Sequence, residues 1–361
     1  MAHEQNTSGR RCTLVLPGLL DLPPAERESV FAQVGRLPEL ECFFSRAQKH
    51  RFSGASFEAV LFALFDVRIP TDVDLPVAAV GYMGDTGQSA TGWCLRADPV
   101  QLIPDRDHLV LMGPESLSLS QAEADLLVAD LNAQFAQDGW HIEAATPTRW
   151  YLHQSDTPRL RTYDLTQVRG RAIGEYLPGG ADGKQWHRLM NEVQMVLHIS
   201  AVNQRRQTAG QPPVSSLWFW GGGETPAIPS GNTDSQWSQV WSNEPVSQGL
   251  VALSNIANTA RKGLPENAAT WLSAAHSPGK HLLVLDDLLR CWQNGEMEGW
   301  VQWVRAFNRE WMLPLLNALR RNEIDELSLY ACNGNQFTLS RTGLRRWWRR
   351  KKALSVIAAR V

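Results

Sequence analysis

The chain has 361 residues, 43% of them hydrophobic, which is enough to bury the core of one large domain or of two ordinary ones. Its 35 lysines and arginines nearly balance its 37 aspartates and glutamates, which excludes an overall charge that attracts the whole molecule to nucleic acid or to a membrane. Any such attraction must be local.

Cysteine usage and the N-terminus both bear on the cellular compartment. The five cysteines form no Cys-x-x-Cys pair and no zinc-spaced cluster with histidine, so we expect reduced thiols. The apolar run after the polar N-terminus ends at Leu20, which is too short for a signal peptide or a spanning helix. The sequence therefore predicts a cytoplasmic protein without a membrane span, with residues 1–10 as a flexible N-terminus.

The first third of the chain opens as strand, loop and helix. Residues 12–16 form a short apolar run that a Pro-Gly pair ends, and a Pro-Pro pair leads into a helical pattern over residues 25–34. Residues 70–92 are rich in proline, glycine and aspartate, as is typical of a loop. Further elements are expected as helical turns over residues 37–44 and 56–64 and as a strand over residues 77–80.

The middle of the chain predicts a compact α+β unit over residues 96–224. Its first helix begins after Ser120 and carries Glu123 at the capping-box position. A second helix, over residues 184–209, is predicted to end where Gly210 and a Pro-Pro pair follow. Strands are expected over residues 108–112, 141–144, 150–153 and 214–220.

The last third alternates helices with strands. Helical patterns cover residues 250–261 and 300–322, and strand patterns cover residues 281–285, 326–330 and 336–340. Residues 225–249 are predicted to be a long loop. Strands separated by helices favour a mostly parallel sheet, so we expect an α/β core from residues 11–95 and 225–345. Residues 346–361 form a basic tail.

One face of the helix that precedes the glycines is polar. Residues at spacings of three and four share a helix face, and those on this face are Asn191, Gln194, Met195 and His198. They either line a ligand cleft or form a hydrogen-bonded face against a neighbouring domain. Asn203 and Arg206 lie one turn apart, and the arginine either pairs with a carboxylate or holds an anionic ligand.

Three glycines, Gly221, Gly222 and Gly223, follow an apolar strand. Backbone amides without side chains can hold an anion. However, no Gly-Lys-Ser/Thr follows and no helix begins after them, which excludes a P-loop and a dinucleotide-binding fingerprint. Two roles stay open for the glycines, a structural tight turn or a loop that faces a ligand. The chain also lacks the Gly-x-Ser-x-Gly and His-Glu-x-x-His motifs of common hydrolases.

Residues 191–223 resemble the inserted domain of the archaeal-type cofactor-independent phosphoglycerate mutases. The family pattern is Asn-x-x-Arg, Gly, Pro-Ala-Asn and Arg-Gly-Ala-Gly, and the residues in register with it are Asn203, Arg206, Gly210, Pro213 and the three glycines. Ser215 and Trp220 depart from it, where the family has an asparagine and a substrate-binding arginine. The resemblance implies an alkaline-phosphatase-like core with an inserted mutase-like domain.

A closer resemblance is to the RpfE-type regulatory proteins of proteobacteria, which often carry the label phosphoglycerate mutase. The shared features are the Asn-Glu-Val-Gln-Met helix, the Pro-Val-x-Ser strand and a C-terminal Arg-Arg-x-Trp-Arg-Arg segment, here residues 345–350. This resemblance implies a regulatory role.

The active mutases hold two divalent metals on aspartate and histidine ligands and transiently phosphorylate a serine. Their ligand motifs fall here on residues 17–21, 289–296 and 331–334, which read PGLLD, LRCWQNGE and ACNG. Pro17 replaces the leading carboxylate, and Gln293 and Asn294 replace histidine and aspartate. Because neutral amides lack the negative charge that two divalent ions require, the resemblance implies no metal site, no catalytic residues and no cofactor.

The C-terminal end is locally basic. Its candidate partner-binding residues are Arg345, Arg346, Trp347, Trp348, Arg349 and Arg350. Interleaved aromatic and basic residues either bind nucleic acid or an anionic surface, or they form a solvated charge run with the tryptophans packed on the domain.

Three functional hypotheses stay open. The first is a catalytically degenerate mutase-like protein, a regulatory or small-anion-binding module for a phosphorylated or carboxylate ligand. Its ligand-binding residues are Asn191, His198, Asn203, Arg206 and the three glycines. The second is an active phosphomutase or phosphatase with displaced metal ligands, at Asp21, Asp286, Asp287 and Glu296. The third is a protein or nucleic-acid partner bound by the basic tail.

Overall fold

The computed structural model describes residues 9–20, 24–70, 73–228, 237–254 and 261–359, with the backbone alone for residues 24–28, 292 and 293. The chain divides into two compact units. The core unit comprises Met1–Asp66, Pro229–Ser247 and Ser254–Val361, and the inserted unit comprises Val67–Ile228 and Gln248–Leu253.

In chain order the strands are β1 (Arg10–Val15), β2 (Gln48–Arg51), β3 (Trp93–Asp105), β4 (His108–Met112), β5 (His141–Thr146), β6 (Arg149–Gln154), β7 (Ser216–Gly223), β8 (Gln239–Trp241), β9 (Arg261–Lys262), β10 (Gly279–Val284), β11 (Glu326–Tyr330) and β12 (Asn335–Ser340). The α-helices are α1 (Pro24–Val34), α2 (Pro38–Arg46), α3 (Phe57–Leu64), α4 (Val77–Thr86), α5 (Gln121–Phe135), α6 (Leu165–Val168), α7 (Gly183–Ile199), α8 (Ala201–Thr208), α9 (Pro245–Leu253), α10 (Ala268–Ala274), α11 (Asp287–Gln293), α12 (Met297–Phe307), α13 (Leu313–Arg321), α14 (Arg341–Leu344) and α15 (Leu354–Ala358).

The core unit is built on a seven-stranded sheet with the order β2-β12-β11-β1-β10-β8-β9. The five strands from β11 to β9 run parallel to one another, and β12 is antiparallel to both of its neighbours. Leu14, Leu283 and Leu329 lie opposite one another on three adjacent strands, and all three are fully buried. They share one hydrophobic core with helical residues such as Phe43 and Trp300. Burial of each such side chain contributes about 2 kcal/mol.

The inserted unit is built on a five-stranded antiparallel sheet. The strands follow the order β4-β3-β6-β5, and β7 pairs with the free side of β3. Helix α4 contacts β3, β5 and β7, while α5 contacts β5 and α7 contacts β7. The fold class predicted from the sequence is confirmed as an α/β fold with a mostly parallel core sheet, beside a second unit that combines helices with an antiparallel sheet.

Two elements of the inserted unit differ from the prediction. The expected strand over residues 77–80 is the start of helix α4, which ends at Gly87 in the left-handed conformation with φ +75°. A four-residue apolar run does not distinguish a buried helix from a strand. Strand β3 was not predicted, because Arg96, Asp98 and Pro99 are unusual inside a central strand. The predicted domain boundary near residue 95 falls within this strand.

The predicted helix over residues 184–209 is interrupted at Ser200. The backbone of Ser200 is extended (φ −60°, ψ 133°), its Oγ accepts a hydrogen bond from the Val202 amide, and it donates to Oδ2 of Asp130 at 2.7 Å. A serine that satisfies the first amides of the next helix makes a new helix start at this position. The predicted capping box of Ser120 and Glu123 is present at the start of α5.

The predicted long loop over residues 225–249 contains regular structure. It includes strand β8 and the first residues of α9, a helix that was predicted to cover residues 250–261. Strand β8 was not predicted because it has only three residues and lies in a polar segment. It pairs with β10 in the core sheet. Residues 229–236 and 255–260 lie outside the described residues. No helix within the described ranges is long and apolar enough to cross a membrane.

Candidate functional site

The carboxyl ends of β1, β10 and β11 form the edge of the core sheet at which parallel α/β folds bind ligands. Residues 17–20 and 331–334, two of the three segments aligned with metal-ligand motifs, follow β1 and β11 directly. Leu19, Leu20 and Ala331 are buried apolar side chains at this edge. A metal centre needs oxygen or nitrogen donors at such positions. These three side chains have none and pack in the core instead.

The acidic residues offered as displaced ligands are engaged with neighbouring residues. Asp286 and Asp287 both approach Arg290, and Glu296 accepts a hydrogen bond from Asn294 at 3.2 Å. Within the described ranges no three histidine, cysteine, aspartate or glutamate side chains are placed to hold a metal ion. Asp21 lies outside the described residues, as does the side chain of Gln293. The described donor set does not fit a two-metal mutase centre.

One carboxyl group at this edge was not found from the sequence. Glu244 follows β8, is buried, and accepts hydrogen bonds from the amides of Val246 at 2.8 Å and Ser247 at 2.7 Å. Burial raises its pKa to about 7, and the negative charge of Asp286 adds to the shift. Glu244 is therefore a group that titrates near neutral pH at the carboxyl edge of the core sheet.

The inserted unit contains a buried ion pair on β3. Arg96 donates from Nη2 to Oδ1 of Asp98 at 2.6 Å, and both side chains are almost wholly buried. Trp220 donates from Nε1 to the second oxygen, Oδ2, at 2.8 Å. Burial tends to lower the pKa of Arg96, but the charge and hydrogen bond of Asp98, together with Tyr151 and Asp85, outweigh burial and the pKa is raised. The guanidinium also lies 5.2 Å from the ring centres of Tyr151 and Trp220.

A second polar cluster extends this network within the inserted unit. Asp85 accepts two hydrogen bonds from Arg149, at 2.8 and 2.7 Å, and a third from the hydroxyl of Tyr151 at 2.7 Å. Tyr82 donates from its hydroxyl to Glu143 at 3.0 Å. Both arginines of the network are paired with a carboxylate, so the network stabilises the unit and leaves no unpaired positive charge for an anionic ligand.

His153 has a different environment in the same layer. The ring is buried, and neither ring nitrogen has a hydrogen-bond partner among the described residues. Burial lowers the pKa of His153, so the ring is neutral at physiological pH. It makes an edge-to-face contact with Tyr82 at 4.7 Å between ring centres. No sequence signal separated this histidine from the others.

Asn203 and Arg206, predicted to bind a ligand, are buried and hydrogen-bonded to other parts of the inserted unit. Asn203 donates to the carbonyls of Leu197 and Val214, both at 2.7 Å, and accepts from the Val214 amide at 2.9 Å. Arg206 donates to Glu123 at 2.8 Å and to two backbone carbonyls. These contacts are typical of structural residues, so they lend no support to the predicted anion site.

The predicted polar helix face lines a surface groove of about 530 Å³ within the inserted unit. Asn191 and His198 are exposed there, beside Met195 and Ile199, which are 69% and 72% exposed. The spacing therefore placed these side chains together correctly. The groove brings Asn191 and His198 near Asn203, whose amide is already fully engaged.

The three glycines lie at the end of β7 and allow close packing. Gly221 has φ +65°, and a Cβ on it would lie 2.9 Å from Val77. A Cβ on Gly222 would lie 2.3 Å from the ring of Trp93, and one on Gly223 would lie 2.6 Å from Pro76. The glycines therefore allow close approach between the end of a strand and its neighbours, and they do not form the tight turn that was one of the two open roles.

Gly222 and Gly223 also form part of the wall of a cavity of about 650 Å³ inside the inserted unit. Most of the wall is apolar, and it includes Ile69, Pro70, Val73, Pro76, Trp93, Leu95, Pro158, Leu160, Ala181 and Pro226. The glycines thus both allow close packing and border the cavity, because their missing side chains leave Trp93 and Leu95 within the wall.

A few polar groups lie in this cavity wall. Asp74 accepts hydrogen bonds from the amide and hydroxyl of Thr162, at 2.8 and 2.5 Å. The hydroxyl oxygen of Thr225 is buried and has no hydrogen-bond partner among the described residues. Arg159, Arg161 and Glu224 also line the cavity, and all three are exposed. An apolar cavity with a few polar and charged groups is typical of a small-molecule site.

The basic C-terminal segment exposes both of its tryptophans. Trp347 is 80% and Trp348 is 64% exposed, and their rings meet edge to face with centres 6.2 Å apart. The alternative in which these tryptophans pack on the domain is therefore wrong. Arg345, Arg349 and Arg350 are exposed around them.

No protein-family model matches the chain. Part of it is similar to 2,3-bisphosphoglycerate-independent phosphoglycerate mutases. The similarity to the enzyme of Methanosarcina barkeri is 32% identity over 113 residues, which is 30% of this chain and 28% of the relative. The probable enzyme of Geobacter sulfurreducens is 27% identical, over 37% of this chain and 34% of the relative. The enzyme of Methanosarcina mazei is 25% identical, over 38% of this chain and 36% of the relative. The chain thus matches about a third of the length of these relatives.

Two solved structures are similar over nearly the whole chain. The PH0037 protein of Pyrococcus horikoshii has a TM-score of 0.54 and 12% identity, over 92% of this chain and 87% of its own. A cofactor-independent phosphoglycerate mutase of Thermoplasma acidophilum has a TM-score of 0.49 and 14% identity, over 96% and 94%. The likeness to the PH0037 protein shows the shared fold. The RpfE-type and proteobacterial resemblance receives no support from these relatives.

Proposed function

We propose that this protein is a phosphoglycerate-mutase-like protein that lacks the mutase metal centre and binds a small anionic ligand in the cavity of its inserted unit. The carrying observation is the 650 Å³ cavity, whose mostly apolar wall includes Gly222 and Gly223 and which also has two exposed arginines in its lining. A regulatory role and a cytoplasmic location, both expected from the sequence, remain part of this proposal.

The side chains of the cavity wall indicate which class of ligand the cavity favours. The apolar side chains favour a ligand with an apolar body, because a small polar anion gains nothing from contact with Trp93 and Leu95. Arg159 and Arg161 favour a carboxylate or phosphate at the exposed end, since a guanidinium bonds both with matching geometry.

Isothermal titration of the full chain tests this proposal. Phenyl phosphate and 4-phenylbutyrate carry an apolar body and one anionic group, 3-phosphoglycerate lacks the apolar body, and benzyl alcohol lacks the charge. We expect saturable binding of the first two and weaker binding of the others. R159Q/R161Q should weaken binding by about tenfold or more, since each charge-assisted hydrogen bond contributes about 1.5 to 3 kcal/mol.

Two variants sharpen the result. A181W places a large ring at the cavity wall and should block binding, while R205Q removes an exposed arginine elsewhere in the inserted unit and should leave binding unchanged. The proposal fails if neither apolar anion binds, or if R159Q/R161Q and A181W both bind as tightly as the parent chain.

The acidic edge of the core sheet supports a second candidate, the active phosphomutase or phosphatase. Glu244 and Asp286 follow adjacent parallel strands, and the negative charge of Asp286 adds to the rise in the pKa of Glu244. Turnover of 3-phosphoglycerate with added Mn²⁺ tests this alternative. Loss of turnover in E244Q or D286N, beside an active parent chain, would establish it over the first proposal.

A further inference from the structure

The segment between α14 and α15, residues 345–352, is here called the tryptophan loop. Both of its ends are anchored, because Leu344, Leu354 and Ile357 are buried in the core unit. Backbone contacts hold it from the side. Arg46 donates to the carbonyl of Leu344 at 2.6 Å, and the amide of Lys352 donates to Ser45 at 2.9 Å. The loop is therefore a fixed projection of the core unit.

The two tryptophans project from this anchored frame. Arg349 donates to the carbonyl of Ala47 at 3.2 Å, which fixes the loop directly beyond Trp348. Trp347 and Trp348 nevertheless remain 80% and 64% exposed. Indole rings gain much from leaving water, and two adjacent exposed rings on one loop mark an interaction site.

The charged residues of the tryptophan loop all have one sign. No acidic residue follows Glu326 in the sequence, and the tryptophan loop carries six basic residues, Arg345, Arg346, Arg349, Arg350, Lys351 and Lys352. Because the whole chain has a net charge of −2, this concentration of positive charge is local. Strand β2, which begins directly after Ala47, adds the exposed side chains of Lys49 and Arg51. The surface is therefore complementary to an anionic partner.

Ring geometry decides between two kinds of anionic partner. The planes of Trp347 and Trp348 are 83° apart, so two consecutive bases of a single strand cannot stack on both rings. Tryptophan is enriched at bilayer interfaces, where binding does not require neighbouring rings to be parallel, and anionic headgroups attract lysine and arginine. We propose that the tryptophan loop docks this protein on the surface of an anionic lipid bilayer, independently of the ligand proposed for the inserted unit.

Vesicle co-sedimentation of the full chain tests this inference. One vesicle is pure phosphatidylcholine, and the other contains equal parts of phosphatidylcholine and phosphatidylglycerol. Binding is expected to the anionic vesicles alone, with a loss on raising the salt concentration. W347A/W348A should abolish it, and R345Q/R350Q/K351Q should weaken it by about a hundredfold, as expected for three charges near a bilayer.

Matched controls separate docking from damage. R320Q/R321Q removes two exposed arginines at the end of α13 and should leave vesicle binding unchanged. The thermal midpoint of W347A/W348A should equal that of the parent chain, because both rings are exposed. The inference is overturned by no binding to anionic vesicles, by binding that survives W347A/W348A, or by salt-sensitive binding of single-stranded DNA without vesicle binding.

Discussion

Trp220 donates a hydrogen bond from Nε1 to Oδ2 of Asp98 at 2.8 Å, while the guanidinium of Arg96 bonds the other oxygen of the same carboxylate. Trp220 stands where the resemblance to the mutases places an arginine. Strand pairing sets Arg96 directly opposite it, so the positive charge comes from β3 and is already neutralised by Asp98. This position of the inserted unit therefore offers no free cation to a phosphoryl group.

Replacement of Trp220 by phenylalanine tests the hydrogen bond. W220F keeps an aromatic ring beside Arg96 and removes the indole N–H. Oδ2 of the buried Asp98 then loses the hydrogen bond from residue 220. We expect a loss of about 1 to 3 kcal/mol in the free energy of unfolding, measured by urea titration. W218F is the matched control, because the Trp218 indole donates to a neutral backbone carbonyl, that of Tyr163, at 2.9 Å. An equal effect in both variants would contradict the role given to Asp98.

The ion pair of Arg96 and Asp98 gives a second prediction. D98N or R96M alone leaves a buried charge without its partner, and each should cost about 3 to 5 kcal/mol of unfolding free energy. The double variant R96M/D98N leaves no buried charge, so its loss should be smaller than the sum of the two. A double-mutant cycle by urea unfolding measures this coupling. Additive losses would show that the two side chains do not stabilise each other.

Asn203 gives a prediction that separates a structural role from ligand binding. N203A leaves the carbonyls of Leu197 and Val214 and the amide of Val214 without their partner, and should lower the unfolding free energy by about 2 to 4 kcal/mol. N132A removes a similar amide bridge, to Ile142, at a half-buried site and should cost about 1 kcal/mol. An N203A chain as stable as the parent would restore Asn203 as a ligand candidate.

Glu244 predicts a pH dependence of stability. Its pKa is about 7 in the folded chain and near 4.5 when exposed, so between these values the folded state binds the extra proton. The unfolding free energy should therefore fall as pH rises from about 4.5 to 7, by up to about 3 kcal/mol from this group. The measurement is the difference between the parent chain and E244Q in urea unfolding at several pH values.

Between about pH 4.5 and 7, the unfolding free energy of the parent chain should fall with a slope that E244Q lacks. The amide side chain of this variant keeps one acceptor oxygen and does not titrate, so position 244 contributes no pH dependence to the stability of E244Q. E298Q, at an exposed position of α12, should keep the slope of the parent chain. Identical slopes for the parent chain and E244Q would contradict the assignment.

His153 predicts a stabilising substitution. Phenylalanine preserves the edge-to-face contact with Tyr82 and removes two buried nitrogens that lack partners among the described residues. H153F should raise the unfolding free energy by about 1 kcal/mol, since an unpaired buried polar group is costly. A loss of stability in urea unfolding would indicate that the ring nitrogens have partners in solution, such as bound water.

The parts of the fold that were predictable are those with a local signal. The apolar runs of β10 and β11 and the capping box of Ser120 and Glu123 each identify an element from a few adjacent residues. Strand β3 has no such signal. Arg96 and Asp98 are tolerated because they neutralise each other. Pro99 lies between the stretch of β3 paired with β6 and the stretch paired with β4.

The candidate site was predictable only in part, for a similar reason. Helical spacing correctly placed Asn191 and His198 in one groove, and the glycine motif marked part of the cavity wall. The remaining wall residues come from segments far apart in the chain, such as Pro76, Trp93 and Leu160. Their meeting depends on tertiary packing, which leaves no pattern in the sequence.

Our main proposal is that this phosphoglycerate-mutase-like chain lacks the mutase metal centre. Elemental analysis of the full chain after dialysis against Mn²⁺, with unbound ion removed by gel filtration, tests it most directly. We expect manganese far below one ion per chain. One or two ions per chain, reduced by D286N, would contradict the claim and favour an active enzyme with displaced ligands.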